Sequence, residues 1–159
     1  MIKPVAIIPA RKESTRLPNK PLLLINGKPM IIRVLENCIE SNAFDQVYVC
    51  SDSEEIIEIV ETRGYKSIKT GKADTGTDRV AQAADQLNNS MIINVQGDEP
   101  LMPIDIMQEM SNKLVESDPN KPIIWNAYSL CSFDESNDPN VVKVSSRYDQ
   151  QALYFSRLP

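Results

Sequence analysis

The sequence of 159 residues contains no histidine. That absence removes His-based triads, zinc sites built on imidazole and the commonest general base in one step. Cys38, Cys50 and Cys131 are isolated and odd in number, with no Cys-x-x-Cys pair. They read as reduced thiols of a cytosolic protein, two of them packed as small apolar side chains. No apolar run approaches membrane-spanning length, and Arg11 arrives before a signal-peptide core could form. A formal charge of -5 argues against a broad basic face, so nucleic acid is not an expected partner. Two glycine motifs are also missing, Gly-x4-Gly-Lys-[Ser/Thr] and a Gly-x-Gly-x-x-Gly after the first strand. Kinase-type NTPases and dinucleotide dehydrogenases are thereby set aside. Internal repeats, low-complexity tracts and linkers are absent as well.

What is present suits one soluble domain over residues 1–159, with 42% hydrophobic and 25% charged residues. The apolar run from Val5 to Ile8 reads as a buried strand of a parallel sheet. Pro9–Pro21 follows it, and its three prolines forbid a continuing strand or helix. This ordered loop therefore leaves the C-terminal end of the strand, the edge at which open α/β sheets bind ligands. Arg11, Lys12, Arg16 and Lys20 crowd it against a single Glu13. Such a cluster is either a solvated basic loop or a cradle for a polyanion, most simply a nucleoside triphosphate.

Further along, Asn26-Gly27 signals a turn, and apolar residues at helical spacing predict an amphipathic helix over 29–41. Val47–Cys50 reads as a second strand, and Asp52 with Glu55 resembles an N-cap pair for a helix that Gly64 ends. A short strand over Ser67–Thr70, a helix opened by Thr75-Gly76-Thr77-Asp78 and a strongly apolar strand over Met91–Val95 come next. After a helix marked by Met107, Met110 and Leu114, the segments 123–130, 141–145 and 152–155 read as strands. The alternation calls for a doubly wound α/β fold with a mostly parallel, mixed sheet and right-handed crossovers. The strand-rich end is expected to extend that sheet in antiparallel fashion. The chain stops at Pro159 without a closing helix, as though cut short.

Three further stretches carry chemistry. Gln96-Gly97-Asp98-Glu99-Pro100 sets a carboxylate directly after a buried strand, at the same sheet edge as the basic loop. Gly97 permits a turn or a close approach, and Asp98 can hold Mg²⁺ through one carboxylate, phosphate oxygens and water. The plainer alternative is that Asp98 and Glu99 cap the helix starting near Pro103. Thr75–Arg79 offers hydroxyls, a glycine and helix N-terminal amides suited to a nucleotide, or simply an ordinary cap. Tyr154, Ser156 and Arg157 are either a face offered to a sugar acid or the residues of a half-exposed edge strand.

Five blocks together resemble the 3-deoxy-manno-octulosonate (Kdo) cytidylyltransferase family. They are Ile7-Ile8-Pro9-Ala10-Arg11-x-x-Ser14-x-Arg16-Leu17-Pro18-x-Lys20-Pro21-Leu22, Ile25–Ile31, Thr75–Arg79, Asn94–Pro100 and Leu153–Arg157. They occur in the family's order and span the chain. The glycine-rich, lysine-bearing loop that opens the related sialic-acid enzymes is lacking. The resemblance implies a nucleotide-diphospho-sugar transferase fold, truncated here at its C-terminus. It also implies transfer of CMP from CTP to a Kdo-type sugar acid with release of pyrophosphate, for lipopolysaccharide synthesis. Mg²⁺ as cofactor, a homodimer and a cytoplasmic location are implied as well.

Carried over by position, Arg11, Lys20 and Asp98 would be catalytic, with Asp98 on the metal. Ala10, Ser14, Arg16, Thr75, Gly76 and Gln96 would join Arg11 and Lys20 around the nucleotide. Arg79, Gln96, Tyr154, Ser156 and Arg157 would meet the sugar acid. Asn19 stands where the family commonly has glycine, and asparagine tolerates left-handed φ better than most residues. Family members continue beyond Pro159 with a second metal-binding aspartate, further sugar contacts including a histidine, and much of the dimer interface. A CTP-binding paralogue without turnover and a glycosyltransferase on the same sheet type are the competing readings.

Overall fold

A computed structural model describes residues 3–12, 17–89 and 91–159. Ser14 and Arg16, both expected at the nucleotide, lie outside the described residues. The chain divides into two compact units, Met1–Trp125 and Asn126–Pro159.

In the first unit, β1 (Val5–Pro9) is buried along its whole length. Strands β4 (Gln46–Ser51), β5 (Lys66–Lys69) and β6 (Ile92–Asn94) join it in a four-stranded sheet of order β5-β4-β1-β6. Every pairing in it is parallel, as near-continuous apolar strands require when helices cover both faces. The period of two in β1 sorts its side chains. Ala6 and Ile8 pack with Ile31 and Leu35 of α1 (Met30–Glu40), Ile56 of α2 (Glu54–Glu61) and Met107 of α4 (Ile104–Val115). Val5 and Ile7 face the other way, onto Val80 and Ala83 of α3 (Gly76–Ala84). The chain first winds outward from β1 through β4 to β5. It then crosses back through α3 to lay β6 on β1's free side, so the winding reverses between β1 and β6.

A hairpin of β2 (Leu24–Ile25) and β3 (Lys28–Pro29) precedes α1. Its turn residues Asn26 and Gly27 both have positive φ, 49° and 75°, the geometry that Asn-Gly favours in two-residue hairpins. Arg33 donates to the carbonyls of Ile25 (2.9 Å) and Asn26 (3.0 Å), fixing the hairpin on α1.

The chain that ends the first unit and begins the second departs from expectation. Residues 121–132 take no regular structure, so the predicted strand over 123–130 is absent. Trp125 turns back toward α4 instead, its Nε1 donating to Ser117 Oγ at 2.8 Å, with Lys113 Nζ 5.8 Å from the ring. In the second unit, α5 (Phe133–Asn137) starts in a capping box between Ser132 and Glu135. β7 (Lys143–Ser146) and β8 (Ala152–Ser156) pair with each other in a separate antiparallel sheet and do not extend the parallel one. The tight turn between them, closed by Arg147 N–H to the Gln151 carbonyl at 2.8 Å, folds each onto the other.

Candidate functional site

The reversal between β1 and β6 leaves a crevice beyond their C-terminal ends, where the chain concentrates its unusual residues. β1 runs out through Pro9 into Ala10, whose N–H donates to the Cys50 carbonyl at 2.9 Å. Beyond the undescribed residues, Asn19 adopts φ 56°, ψ 23°, the left-handed conformation that its position demands. From there a single 3-10 turn, Lys20–Leu22, returns the chain toward the sheet with Pro21 buried. The Asn19 N–H donates to the Lys12 carbonyl at 3.2 Å. Lys12 is anchored outward by Glu55 of α2, Nζ–Oε2 2.7 Å.

On the opposite side, β6 ends in Gln96-Gly97-Asp98. An ideal Cβ at Gly97 would lie 2.5 Å from the Pro9 carbonyl oxygen, so only glycine lets these two backbones meet. Asp98 caps no helix. The N-cap of α4 is Pro103, without a side-chain bond. Asp98 Oδ2 instead lies 2.7 Å from Lys20 Nζ, a pair bridging the two strand ends.

The third wall is the start of α3. Thr75 and Asp78 form a full capping box: Asp78 N–H donates to Thr75 Oγ1 (3.1 Å), and Thr75 N–H to Asp78 Oδ2 (3.0 Å). Among the described residues, the Gly76 and Thr77 amides remain without a partner. Arg79, one turn on, is 3% exposed and its guanidinium is held on several sides. Nη1 donates to Thr70 Oγ1 (2.6 Å) and the Gly71 carbonyl (3.3 Å), while Nη2 lies 3.0 Å from Asp52 Oδ2. Asp52 is thus committed to Arg79 and does not cap α2, whose N-cap is Ser53.

These walls enclose a cavity of about 490 Å³, within the range of small-molecule sites. Of the residues named from sequence, Ala10, Arg11, Lys20, Thr75, Gly76, Arg79, Gln96 and Asp98 line it. Arg11 is exposed and makes no ion pair among the described residues. Gln96 Nε2 donates to Asn94 Oδ1 at 3.1 Å. Sequence reasoning missed the apolar lining of Leu17, Met30 and Ala73. Leu17 and Met30 sat inside the quoted blocks but gave no chemical signal of their own, and Ala73 gave none.

Tyr154, Ser156 and Arg157 belong to the second unit. Tyr154 is exposed on β8, and Ser156 Oγ bonds locally, donating to the Leu158 carbonyl at 3.0 Å. Arg157 falls just past the strand, its Nη1 donating to the carbonyls of Pro139 (3.1 Å) and Asn140 (3.3 Å). The cysteines divide as expected: Cys38 and Cys50 are buried and Cys131 is exposed. Burial pushes both buried thiols up to about 12, so neither is a nucleophile near neutral pH.

Among the described residues, no three His, Cys, Asp or Glu side chains converge as a metal cage. Asp98, with its side chain half exposed at the cavity, suits a different arrangement. Mg²⁺ commonly takes one or two carboxylates, keeps several waters and completes its shell with a substrate's phosphates.

Comparison with known proteins gives consistent results. The family model described as cytidylyltransferase matches residues 5–159. A structure of CMP:2-keto-3-deoxy-manno-octonic acid synthetase complexed with CTP is 35% identical, with a TM-score of 0.84. The match covers 97% of this chain, which spans 64% of the length of that one. A cytidylyltransferase from Leptospira borgpetersenii serovar Hardjo-bovis (strain JB197) is 28% identical, with TM-score 0.64, over 75% of this chain and 51% of that one. A nucleotidyl transferase from Methanothermobacter thermautotroptrophicus shares the fold alone: 16% identity, TM-score 0.59, covering 68% and 56% of the two chains.

Proposed function

The chain belongs to the cytidylyltransferase family, and from that premise we propose that it transfers CMP from CTP to a Kdo-type sugar acid, releasing pyrophosphate. The observation that carries the reading is the cavity at the β1–β6 reversal, where Arg11 and Lys20 face Asp98 and the start of α3.

Charge sorts the two ends of CTP within it. Arg11 and Lys20 are the cations along the β1 side, and they would take the triphosphate as charge-assisted donors. The α3 end is a poor phosphate site despite its unpartnered amides. The lining cation there, Arg79, is already paired with Asp52, and Asp78 sets a further carboxylate in that first turn, so an added anion would meet like charge. Neutral polar parts of the nucleoside fit that end better, beside Ala73 and Thr75.

The reaction needs no nucleophile from the protein. The anomeric hydroxyl oxygen of the sugar acid attacks the α-phosphorus in line with the bridging oxygen toward the β-phosphorus. A sugar oxygen–phosphorus bond forms, the α–β bridge breaks with its electron pair leaving on pyrophosphate, and the hydroxyl proton passes to solvent. What the chain supplies is positioning and charge neutralisation. Asp98 and the phosphates would hold Mg²⁺, which would lower the pKa of the hydroxyl and offset charge on the triphosphate. Freed from Asp98, Lys20 would follow the departing charge, while Gln96 would sit near the incoming sugar. The product would serve lipopolysaccharide synthesis in the cytoplasm, and the working unit would be a homodimer.

Titration calorimetry with CTP, UTP and ATP, each with Mg²⁺, tests the nucleotide assignment. Pyrophosphate release with CTP and Kdo tests the transfer. A preference for ATP, or no nucleotide binding, refutes the proposal. CTP binding without pyrophosphate release marks the chain as a binder without turnover.

A further inference from the structure

We propose that Gln82, half-buried on the same face of α3 as Arg79, is a positioning residue that shapes the nucleotide wall of the cavity. The inference rests on the nucleotide-binding reading above. Between the end of β5 and the start of α3 the chain runs through residues 70–75, of which Ala73 and Thr75 line the cavity. This segment has no regular structure over residues 71–73 and no ladder beyond the Thr70 N–H bond to the Ser51 carbonyl, 2.9 Å. Left to itself, such a stretch would sample many conformations, and ligand binding would have to order it.

Two side chains of α3 prevent that. Arg79 and Gln82 are three residues apart and share one helix face. Arg79 Nη1 donates to the Gly71 carbonyl at 3.3 Å. The Gln82 amide then uses both of its ends. Oε1 accepts from the Gly71 N–H at 3.0 Å, and Nε2 donates to the Lys72 carbonyl at 3.1 Å. The amide thus mimics the edge of a neighbouring strand, reading one donor and one acceptor of the loop backbone. Among the described residues, every hydrogen bond made by residues 71–74 goes to Arg79 or Gln82. Ala73, which touches the cavity, is therefore held from the residues just before it.

Gln86, in the turn just past the end of α3, provides an internal control. Its Nε2 donates to the Lys69 carbonyl at 3.1 Å, on β5, and so ties the helix to the sheet without reaching the cavity wall. Gln82→Ala deletes a half-buried amide inside α3 and Gln86→Ala an exposed one just past its end, so the unfolding midpoint of each variant is measured alongside.

The experiment combines hydrogen exchange on the ligand-free 159-residue chain with calorimetric titration of CTP. Gln82→Ala is expected to raise exchange over residues 71–75 and to weaken CTP binding about fivefold, the scale of losing one or two neutral hydrogen bonds. Gln82→Met, which keeps the stem and loses the amide, should behave like Gln82→Ala. Gln86→Ala should change neither readout, and both variants should stay folded at the temperature of the titration. If wild type binds CTP and Gln82→Ala binds it as well as Gln86→Ala does, the inference is overturned and the nucleotide reading stands. If wild type binds no nucleotide, the nucleotide reading fails and takes the assigned role of Gln82 with it, whatever the exchange shows.

Discussion

Replacing Asp98 by asparagine should move CTP affinity in opposite directions depending on whether Mg²⁺ is present. In the ligand-free chain Asp98 holds Lys20 at 2.7 Å, their side chains 50% and 36% exposed. A pair that open to water is worth about 0.2–1 kcal/mol. A triphosphate that recruits Lys20 without a metal must first break this pair and then lie beside a bare carboxylate. Asp98→Asn removes both penalties, so binding in EDTA should tighten by roughly 1.4- to 5-fold, that energy expressed as an affinity ratio. With Mg²⁺ the sign reverses, because the variant lacks the carboxylate that would join metal to protein. At about 1.5–3 kcal/mol for a contact to a charged group, the loss is roughly 10- to 150-fold. Paired titrations of both proteins in EDTA and in excess Mg²⁺ measure the crossing directly. Weaker binding by the variant in both buffers would refute the exchange and reduce Asp98 to a polar wall residue. Asp98 is exposed and caps no helix among the described residues, so unfolding should shift by no more than the pair itself is worth, about 1 kcal/mol at most.

Arg11→Ala and Lys20→Ala should each weaken Mg²⁺–CTP binding by about 1.5–3 kcal/mol in calorimetry; unchanged affinity in both would make the loop a solvated turn. Gly97→Ala must separate the β6 and β1 ends, so urea denaturation should show about 1–3 kcal/mol of lost stability and CTP binding should fail. One thiol in three, Cys131, should react with a disulfide reagent in the native chain, and all three after unfolding. Burial raises Cys38 and Cys50 from 9.0 to about 12 in the fold, so between those pH values the unfolded chain releases protons that the native chain keeps. The contribution of these two thiols is therefore full below pH 9 and falls as pH rises toward 12, by at most about 1.4 kcal/mol per pH unit per thiol. Urea midpoints across that range check the slope, and a flat profile would refute it.

Features fixed by near neighbours were legible in the sequence. β1 announced itself as a short apolar run before proline, Asn26-Gly27 as a turn, and α1 by its apolar spacing. Asn19 in a glycine-like place indeed takes positive φ. Thr75 and Asp78 form an ordinary cap, one of the two readings of that stretch, and Thr75 still lines the cavity. What escaped were choices between local and distant partners. Asp52 looked like a cap for α2, yet Arg79, 27 positions later by the numbering, is buried and offers a stronger claim on a carboxylate. In sequence Lys20 and Asp98 read separately, one toward phosphate and one toward metal, although they meet across 78 residues of chain. Apolar composition over residues 123–130 suggested a strand, but a strand needs an edge to pair with, and Trp125 found α4 instead.

The meeting of Gly97 with the Pro9 carbonyl has a consequence for how this site can diverge. At that seam two main chains touch, and no substitution alters the chemistry of a peptide group. The depth of the cavity there is consequently locked by the fold. Selection for a different nucleotide or acceptor acts on what surrounds the seam: Leu17 and Met30 as removable bulk, Ala73 as a place to add some, and the Lys20–Asp98 bridge as a charge to be redistributed. Divergent descendants of this chain should therefore differ at the rim of the cavity and keep the same floor.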